Sequence, residues 1–450
     1  MANTYLTRTF GTPDGPGGGT FIWTMSAWIK KTGTGSDVGI MTRYVNANKF
    51  VKIFFNSDDQ LEYAVYNGNY QARYQTTARY RDVNSWYHIV VAQNSTLATA
   101  ADRVKIYVNG ELITSFAVNT QIGQNIGGDF NTASAPHQIG AYNSTQFFNG
   151  LMSAFNFIDN TQYAASDFGS TDATTGQWKI NTSPSVTYGA TGFSILNNGN
   201  TITDQSTNSN NWSSNGAGVT DTKDCPSNVF STMNSLATSS FATLTNGNNT
   251  LTGNSASNNG HSFSTLSLPD ASGKYYFEVK FTTIVGGEYP PVALCLTSDV
   301  EYGVILNGGA GDPRDRVIGM DPRGYTYNGS SNTSGVFSAL SNGDIASFAF
   351  DMDNGAYYMS INGAAYLTSG NPTSGASRTG ALVTWTPNSS NDYGIWISPY
   401  NNSVCSINFG NGYFGTTAVS SAGTAGSTPG TFEYDVPSGY QPLTTKGLNA

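Results

Sequence analysis

Lys274-Tyr275-Tyr276-Phe277-Glu278-Val279-Lys280-Phe281 alternates with a period of two. Its odd positions, Tyr275, Phe277, Val279 and Phe281, are all apolar, while the even ones carry Tyr276, Glu278 and Lys280. Successive side chains of a strand point to opposite faces, so this stretch reads as a half-buried β-strand. The same alternation flanks Asn-Gly dipeptides elsewhere. Val104-Lys105-Ile106-Tyr107-Val108-Asn109-Gly110-Glu111-Leu112-Ile113 reads strand, turn, strand, and so does Tyr357-Tyr358-Met359-Ser360-Ile361-Asn362-Gly363-Ala364-Ala365-Tyr366. Leu61 to Tyr74, turning at Asn67-Gly68, is a third such unit. Asn-Gly is the strongest short hairpin signal, because both residues tolerate the positive φ of a type I′ turn. No long amphipathic helix pattern is found, and Tyr163 to Phe168 has room for a single turn.

Composition agrees. Charged residues are only 11% of the chain, against roughly 25% in an ordinary globular protein, which disfavours long solvated helices. With 26 Tyr and 24 Phe, the chain carries the rings that disordered segments lack. An all-β fold remains. At ~150 residues per domain, 450 residues predict two or three domains.

Charge narrows the partners. Twenty Lys+Arg against 29 Asp+Glu give −9, and no basic run exists to meet a phosphate backbone, so nucleic acid is not expected as a ligand. No stretch approaches the ~20 apolar residues of a membrane span, and membrane insertion is not expected. The start, Met1-Ala2-Asn3-Thr4-Tyr5-Leu6-Thr7-Arg8, lacks the apolar core of a signal peptide. Cys225, Cys295 and Cys405 cannot form a complete disulfide framework, and Cys295 and Cys405 read as small buried hydrophobes. Synthesis in a reducing cytoplasm without export is expected, yet the uncharged polar surface resembles that of proteins working outside cells; a virion protein, assembled inside a host and released by lysis, satisfies both conditions.

Asn197 to Asn215 is almost wholly Asn, Ser, Thr, Gly and Asp, with Ile202 and Trp212 its only large apolar residues. A second polar stretch runs from Thr245 to Gly260. Both read as long loops or weak edge strands. The expected organisation is one sandwich over 1–182, an Asn/Ser-rich connector over 183–224, and a second sandwich over 225–450.

Four motifs of the first half resemble a laminin-G/concanavalin-A-like domain. Phe21-Ile22-Trp23-Thr24-Met25-Ser26-Ala27-Trp28-Ile29-Lys30 is similar to that family's opening strand. Trp86-Tyr87-His88-Ile89-Val90-Val91-Ala92 and Ile106-Tyr107-Val108-Asn109-Gly110 follow its next strand and hairpin. Ile139-Gly140, then Phe148-Asn149-Gly150-Leu151-Met152-Ser153, resembles its closing segment. The second half resembles a SPRY domain, another concanavalin-A-like sandwich. The carriers are Gly273 to Val279, Gly343-Asp344-Ile345, Phe350-Asp351-Met352-Asp353, Ser360-Ile361-Asn362-Gly363, Ile397-Ser398-Pro399 and Ile407-Asn408-Phe409-Gly410. Asp221 to Phe230, and the ending Val436 to Leu443, are similar to segments of bacteriophage structural proteins that carry both modules. The resemblance implies two concanavalin-A-like antiparallel β-sandwiches that bind carbohydrate or protein on a virion surface.

Catalysis finds little support in the residues. Retaining glycosidases need two carboxylates about 5 Å apart, and the E-x-D-x-x-E strand of sandwich hydrolases is missing. Asp351-Met352-Asp353 runs straight into Asn354-Gly355, and Asp58-Asp59 precedes a strand, so both pairs read as turn residues. Gly311-Asp312-Pro313-Arg314-Asp315-Arg316, echoed by Asp321-Pro322-Arg323, reads as a charged loop stiffened by Pro. His88 reads as packed inside a strand, and His137 and His261 fall in loops. No His/Cys cluster has zinc spacing, and neither a metal nor a cofactor is assigned.

The candidate ligand-binding residues are aromatic and cationic. Tyr66, Tyr70, Tyr74 and Tyr80 share parity, with Arg73, Arg79 and Arg81 interleaved, and extended chain would place several rings on one face. Tyrosine offers flat apolar area with a polar tip, which suits the C–H faces of a sugar or a partner subunit. In the second half Trp385, Tyr393, Trp396 and Tyr400 lie near polar loops. The expected function is a non-enzymatic phage spike, head fibre or decoration protein that binds host-surface glycan or protein. The alternatives are an architectural subunit touching only other virion proteins and, more remotely, a polysaccharide depolymerase. Few charges and many rings predict a homo-oligomer, with a trimer expected from the phage resemblance.

Overall fold

The computed structural model describes residues 3–197, 201–216, 218–286, 289–298, 317–329, 331–424 and 430–449. The chain divides into two units, Met1–Asp221 with Cys225–Ser227, and Thr222–Asp224 with Asn228–Ala450. Each is a sandwich of antiparallel sheets.

In the first unit, eight described strands form one sheet in the spatial order Phe116–Thr120, Tyr70–Arg79, Gln60–Asn67, Lys49–Phe55, Val38–Asn46, Pro136–Ile139, Tyr5–Thr9 and Ser213–Asn215. Six form the other, in the order Phe193–Ile195, Gly150–Asp159, Ile22–Lys31, Trp86–Asn94, Val104–Val108 and Glu111–Leu112. The core lies between them. Trp23, Met25, Ala27 and Ile29 alternate inward from one sheet and meet Val51, Ile53 and Phe55 from the other. A fully buried side chain of this size contributes about 1.5–3 kcal/mol.

The segment expected as a connector is part of this sandwich. Phe193–Ile195 pairs with Gly150–Asp159, Ser213–Asn215 pairs with Tyr5–Thr9, and Trp212 is buried in the core. Its polar side chains satisfy its own backbone rather than solvent. Asp204 accepts the N–H groups of Ser194 (2.8 Å), Ser206 (2.9 Å) and Asn210 (2.7 Å). Asn210 Nδ2 in turn donates to the carbonyls of Ala190 and Gly192. Composition could not separate such a knot of side-chain caps from a linker.

In the second unit, seven described strands form one sheet, Met233–Thr238, Ser262–Pro269, Asp392–Ile397, Val292–Leu296, Val317–Asp321, Tyr325–Asn328 and Ser331–Thr333. The facing sheet centres on Lys274–Thr283, between Ile345–Asp351 and Val404–Asn408. Thr250–Gly253, from the second polar stretch, pairs on both sides, with Ala242–Thr245 and Val404–Asn408. It is an interior strand. Cys295 and Cys405 are buried, as their apolar surroundings suggested.

Two features differ from a simple half-buried strand. The even residues Tyr276 and Glu278 are fully buried, because Phe432, Val436 and Tyr440 of the C-terminal segment cover the outer face of their sheet. In the first unit Phe168 likewise packs with Val90 and Ile158, and Tyr163 and Trp178 pack against that cluster. Of the three Asn-Gly hairpins, the one at Asn67-Gly68 departs from the expected turn, with positive φ at Gly68 alone and a three-residue loop between the paired Tyr66 and Tyr70, whereas the other two are built alike. Asn109 donates its N–H to the His88 carbonyl at 2.8 Å and accepts the His88 N–H on Oδ1 at 2.8 Å. Asn362 does the same with Ile345, at 2.8 and 2.9 Å. Both Asn-Gly pairs have positive φ throughout, the geometry the dipeptide predicted.

Candidate functional site

The outer face of the eight-stranded sheet in the first unit is aromatic. Along Lys49–Phe55, Val51, Ile53 and Phe55 point into the core, so Phe50, Lys52 and Phe54 point outward. Opposite them, Phe50 pairs with Tyr44 on one side and Tyr66 on the other. The Phe50 and Tyr66 rings stack with centroids 5.1 Å apart and planes 12° apart. Tyr70 meets Tyr66 edge to face at 5.0 Å. Tyr142 presents an edge to Tyr44 at 5.4 Å and to Phe50 at 5.7 Å. Val45 and Tyr70 remain exposed, at 44% and 38%.

Two cations are set into these rings. Lys52 Nζ lies 3.6 Å from the Phe54 ring centroid, 5.0 Å from that of Tyr142 and 5.6 Å from that of Phe50. Burial lowers the pKa of its ammonium, although Glu62 and Asp37 nearby act the other way. Arg73 lies over Tyr70 at 4.9 Å and grips Glu62 with two hydrogen bonds, Nε to Oε1 at 3.0 Å and Nη2 to Oε2 at 3.2 Å. The hydrogen bond to Glu62 raises the Arg73 pKa further. Burial pushes the Tyr142 phenol up to about 12, so it stays a neutral donor.

Tyr66 also walls an open cleft of about 420 Å³. Lys49, Asn67 and Gln71 line it from the strands, and Asn125, Ile126 and Asp129 from the facing loop. Asp129 is held by Arg43 at 2.8 Å and Lys49 at 3.4 Å. Flat rings beside a rim of amide and hydroxyl groups can stack on a pyranose face and hydrogen-bond its edge.

Of the residues chosen from the sequence, Tyr66 and Tyr70 come together, and Arg73 joins them with its guanidinium already committed to Glu62. Tyr74 does not. The register slips by one residue between the pairs Tyr66–Tyr70 and Val65–Ala72, so Tyr70 and Tyr74 end on opposite faces. Tyr74 is buried in the core, and its hydroxyl accepts the Ile122 N–H. Tyr80 is buried at the other end of the hairpin, against Phe55 and Tyr87. Arg79 sits at that end too, exposed and paired with Asp58 at 3.0 Å. Counting parity straight through a turn and a bulge was the error.

In the second unit the aromatic set divides. Trp385 is half-buried, donates Nε1–H to Asp270 Oδ1 at 3.1 Å and meets Tyr393 edge-on at 6.5 Å. Tyr393 is buried with the core on one face of its strand. Trp396, 1% exposed, packs with Phe263 and Cys295 on the other face. Neither Tyr393 nor Trp396 offers a ligand an open ring.

Tyr44, Phe50, Lys52, Phe54 and Tyr142 were not chosen from the sequence. The signal was present in Lys49-Phe50-Val51-Lys52-Ile53-Phe54-Phe55, where both parities carry large apolar side chains. A strand against plain water needs rings on one parity only.

The titratable side chains buried elsewhere are structural. Trp178 Nε1–H donates to His88 Nδ1 at 3.0 Å, which leaves Nε2 as the protonated nitrogen, 2.9 Å from Ser26 Oγ. Burial pushes the His88 pKa down to about 3, so the ring is neutral at physiological pH. His137 stacks on Phe10 at 3.9 Å and is lowered to about 3 by the same cause. Asp351 caps its own turn by accepting from Asn354 and pairs with Lys274 at 3.1 Å, and Asp353 accepts the Gly273 N–H. These are turn roles. The charged loop Gly311–Arg316 lies outside the described residues. Among the described residues no group of three or more His, Cys, Asp or Glu is placed to hold a metal ion.

Residues 9–164 match the family described as the concanavalin A-like lectin/glucanases superfamily, of the laminin-G type. This is the segment that carries the aromatic face, and its class is that of a lectin-like sandwich. Among solved structures, the chain is similar to the SPRY domain of human HERC1, with 12% identity, a TM-score of 0.28, and coverage of 39% of this chain and 96% of that one. It is similar to the heptameric SAP-like pentraxin of Limulus polyphemus at 14% identity and a TM-score of 0.26, covering 36% of this chain and 72% of that one. A candidate carbohydrate binding protein of Bacteroides ovatus shares 18% identity with a TM-score of 0.32, over 48% of this chain and 56% of that one. No curated protein sequence matches the chain.

Proposed function

We propose that this chain is a non-enzymatic virion surface protein of a bacteriophage that binds host-surface glycan on the outer aromatic face of its first unit. The observation that carries the binding role is the set Tyr44, Phe50, Tyr66, Tyr70 and Tyr142. It places stacked and edge-on rings on a sheet face beside an amide-lined cleft. A lectin-like fold over the same residues supports that role. The virion setting is supported by the resemblance of Asp221–Phe230 and Val436–Leu443 to phage structural proteins, and by an uncharged polar surface. Other virion proteins and further copies of this chain, in a trimer, are the partners that this setting implies.

Binding rather than hydrolysis fits the chemistry of the face. Glu62 is locked to Arg73, and Asp129 to Arg43 and Lys49, so both carboxylates are engaged by cations rather than paired with each other as an acid and a nucleophile. The test is retention of the full chain on host cells or their surface polysaccharide. Wild type should be retained, and Tyr66→Ala/Tyr70→Ala should lose most of that retention while keeping its melting temperature. Retention unchanged in the double variant would refute the site, and release of reducing sugar would refute the non-enzymatic role.

A further inference from the structure

The cations of this sheet are not equivalent. On the aromatic face Arg73 is bidentate to Glu62, while Arg43 and Lys49, which share the parity of core-facing Val51, are paired to Asp129 on the other face. Among the described residues Lys52 forms no ion pair, and its ammonium faces the rings of Phe54, Tyr142 and Phe50. The carboxylates nearest in charge, Glu62 and Asp37, are occupied. Both oxygens of Glu62 accept from Arg73, Asp37 Oδ1 accepts the Ser57 N–H at 2.7 Å, and Asp37 Oδ2 takes Gln146 Nε2 at 3.5 Å.

We infer that Lys52 and the rings around it form a subsite for the carboxylate of an acidic sugar, so that the glycan bound on this face is anionic. This rests on the glycan-binding role proposed above and names the class of glycan. An ammonium over aromatic faces has exchanged part of its hydration for ring quadrupoles, which attract it less than a counter-ion would. The lowering of its pKa by burial has the same origin: Glu62 and Asp37 do not make up for the lost water. A ligand carboxylate would supply the missing charge-assisted hydrogen bond. The geometry suits a pyranose in particular. Tyr142 touches both Phe50 and Lys52, and Phe50 stacks on Tyr66, so a sugar ring over the tyrosines can bring an equatorial carboxylate to Nζ. A cationic ligand would be repelled, and a neutral one would leave Lys52 as it is.

Titration calorimetry of the full chain tests this with oligogalacturonate and oligosialic acid, each beside its methyl ester, and with neutral maltohexaose and xylohexaose. The acids should bind at least about tenfold more tightly than their esters, the scale of one hydrogen bond to a charged group. Lys52→Met, which keeps the stem packed on Phe54, should erase that preference, and Lys52→Arg should retain it. Should Lys52→Met fail to fold, wild type still decides: added salt should weaken the acids and leave the esters unchanged. Equal binding of acid and ester, a preference that survives Lys52→Met, or binding of the neutral sugars alone would overturn the inference while leaving the glycan-binding role intact. Binding of none of these sugars, together with no retention on host polysaccharide, would overturn both.

Discussion

Tyr434 donates its backbone N–H to Oε1 of Glu278 at 2.9 Å, and its ring occupies the space that a side chain on Gly363 would need. The neighbouring Glu433 N–H binds Oε2 at 2.9 Å, and Tyr276 and Asn408 complete four donors around the buried carboxylate. The buried glutamate therefore ties the C-terminal segment to its sheet, alongside the packing of Phe432, Val436 and Tyr440 and the pairing of Gln441–Pro442 with Tyr275 and Tyr276. Burial nevertheless dominates these bonds and pushes the Glu278 pKa up to about 7.

A raised carboxyl pKa means that the folded unit holds a proton which the unfolded chain releases. Its stabilising contribution is complete below the ordinary value of 4.5 and is lost as pH rises through about 7. The loss is roughly 3 kcal/mol over that window. Glu278→Gln should remove this pH dependence. It should also destabilise the unit by about 1–3 kcal/mol, because an amide turns a donor toward two of the four donors. Thermal unfolding of both proteins from pH 4.5 to 7.5 checks this, and parallel pH profiles would contradict it.

The first unit should respond in the opposite sense. Burial lowers His88 and His137 to about 3 from an ordinary 6.5, so each favours the folded state fully above pH 6.5. That contribution drains away as pH falls toward 3. Acidification from pH 7 to 5 should lower the first unit's unfolding transition. Imidazole proton resonances of His88 and His137 should show no titration above pH 5, and a midpoint near 6.5 for either would count against the burial described.

Gly110→Val and Gly363→Val should each destabilise their own unit by about 1–3 kcal/mol or more. Both glycines hold positive φ, +85° and +71°, which a β-branched residue resists. A Cβ would also fall 2.4 Å from the Trp178 ring in one case and 2.5 Å from the Tyr434 ring in the other. Calorimetry should show one transition lowered per variant and the other unmoved.

Lys31 and Asp59 form a buried ion pair at 2.7 Å, both nearly inaccessible, with Arg81 and the Gly35 N–H also bound to Asp59. Asp59→Asn leaves the Lys31 charge buried without its partner and should cost about 3–5 kcal/mol. Adding Lys31→Met should recover much of that loss. A double variant no more stable than the single one would show that the pair is not coupled in this way.

The strands were legible because period-two alternation and Asn-Gly turns are local, and two of the three expected dipeptides, Asn109-Gly110 and Asn362-Gly363, turn with the expected φ. The covering segments were not legible. Nothing in Tyr276-Phe277-Glu278 indicates that Phe432 and Tyr440, over 150 residues away, would close its even face. Polar composition misled in the same way at 183–216, where Asp204, Asn208 and Asn210 bind backbone that a linker would leave to water. At the candidate site, Tyr66 and Tyr70 could be found from the sequence. Tyr74 was misplaced by a single-residue bulge, and Phe50, Lys52 and Phe54 were passed over for lying on a strand whose other face fills the core.

The central claim is that glycan is bound on the outer aromatic face of the first unit, and hydrogen–deuterium exchange of the full chain with and without host polysaccharide tests it most directly. The account predicts slowed exchange in the strands 44–54 and 62–73 and in the cleft loop 125–132, with residues 378–396 of the second unit unchanged. Protection confined to 378–396, or absent from the three segments of the first unit while the polysaccharide is bound, would contradict it.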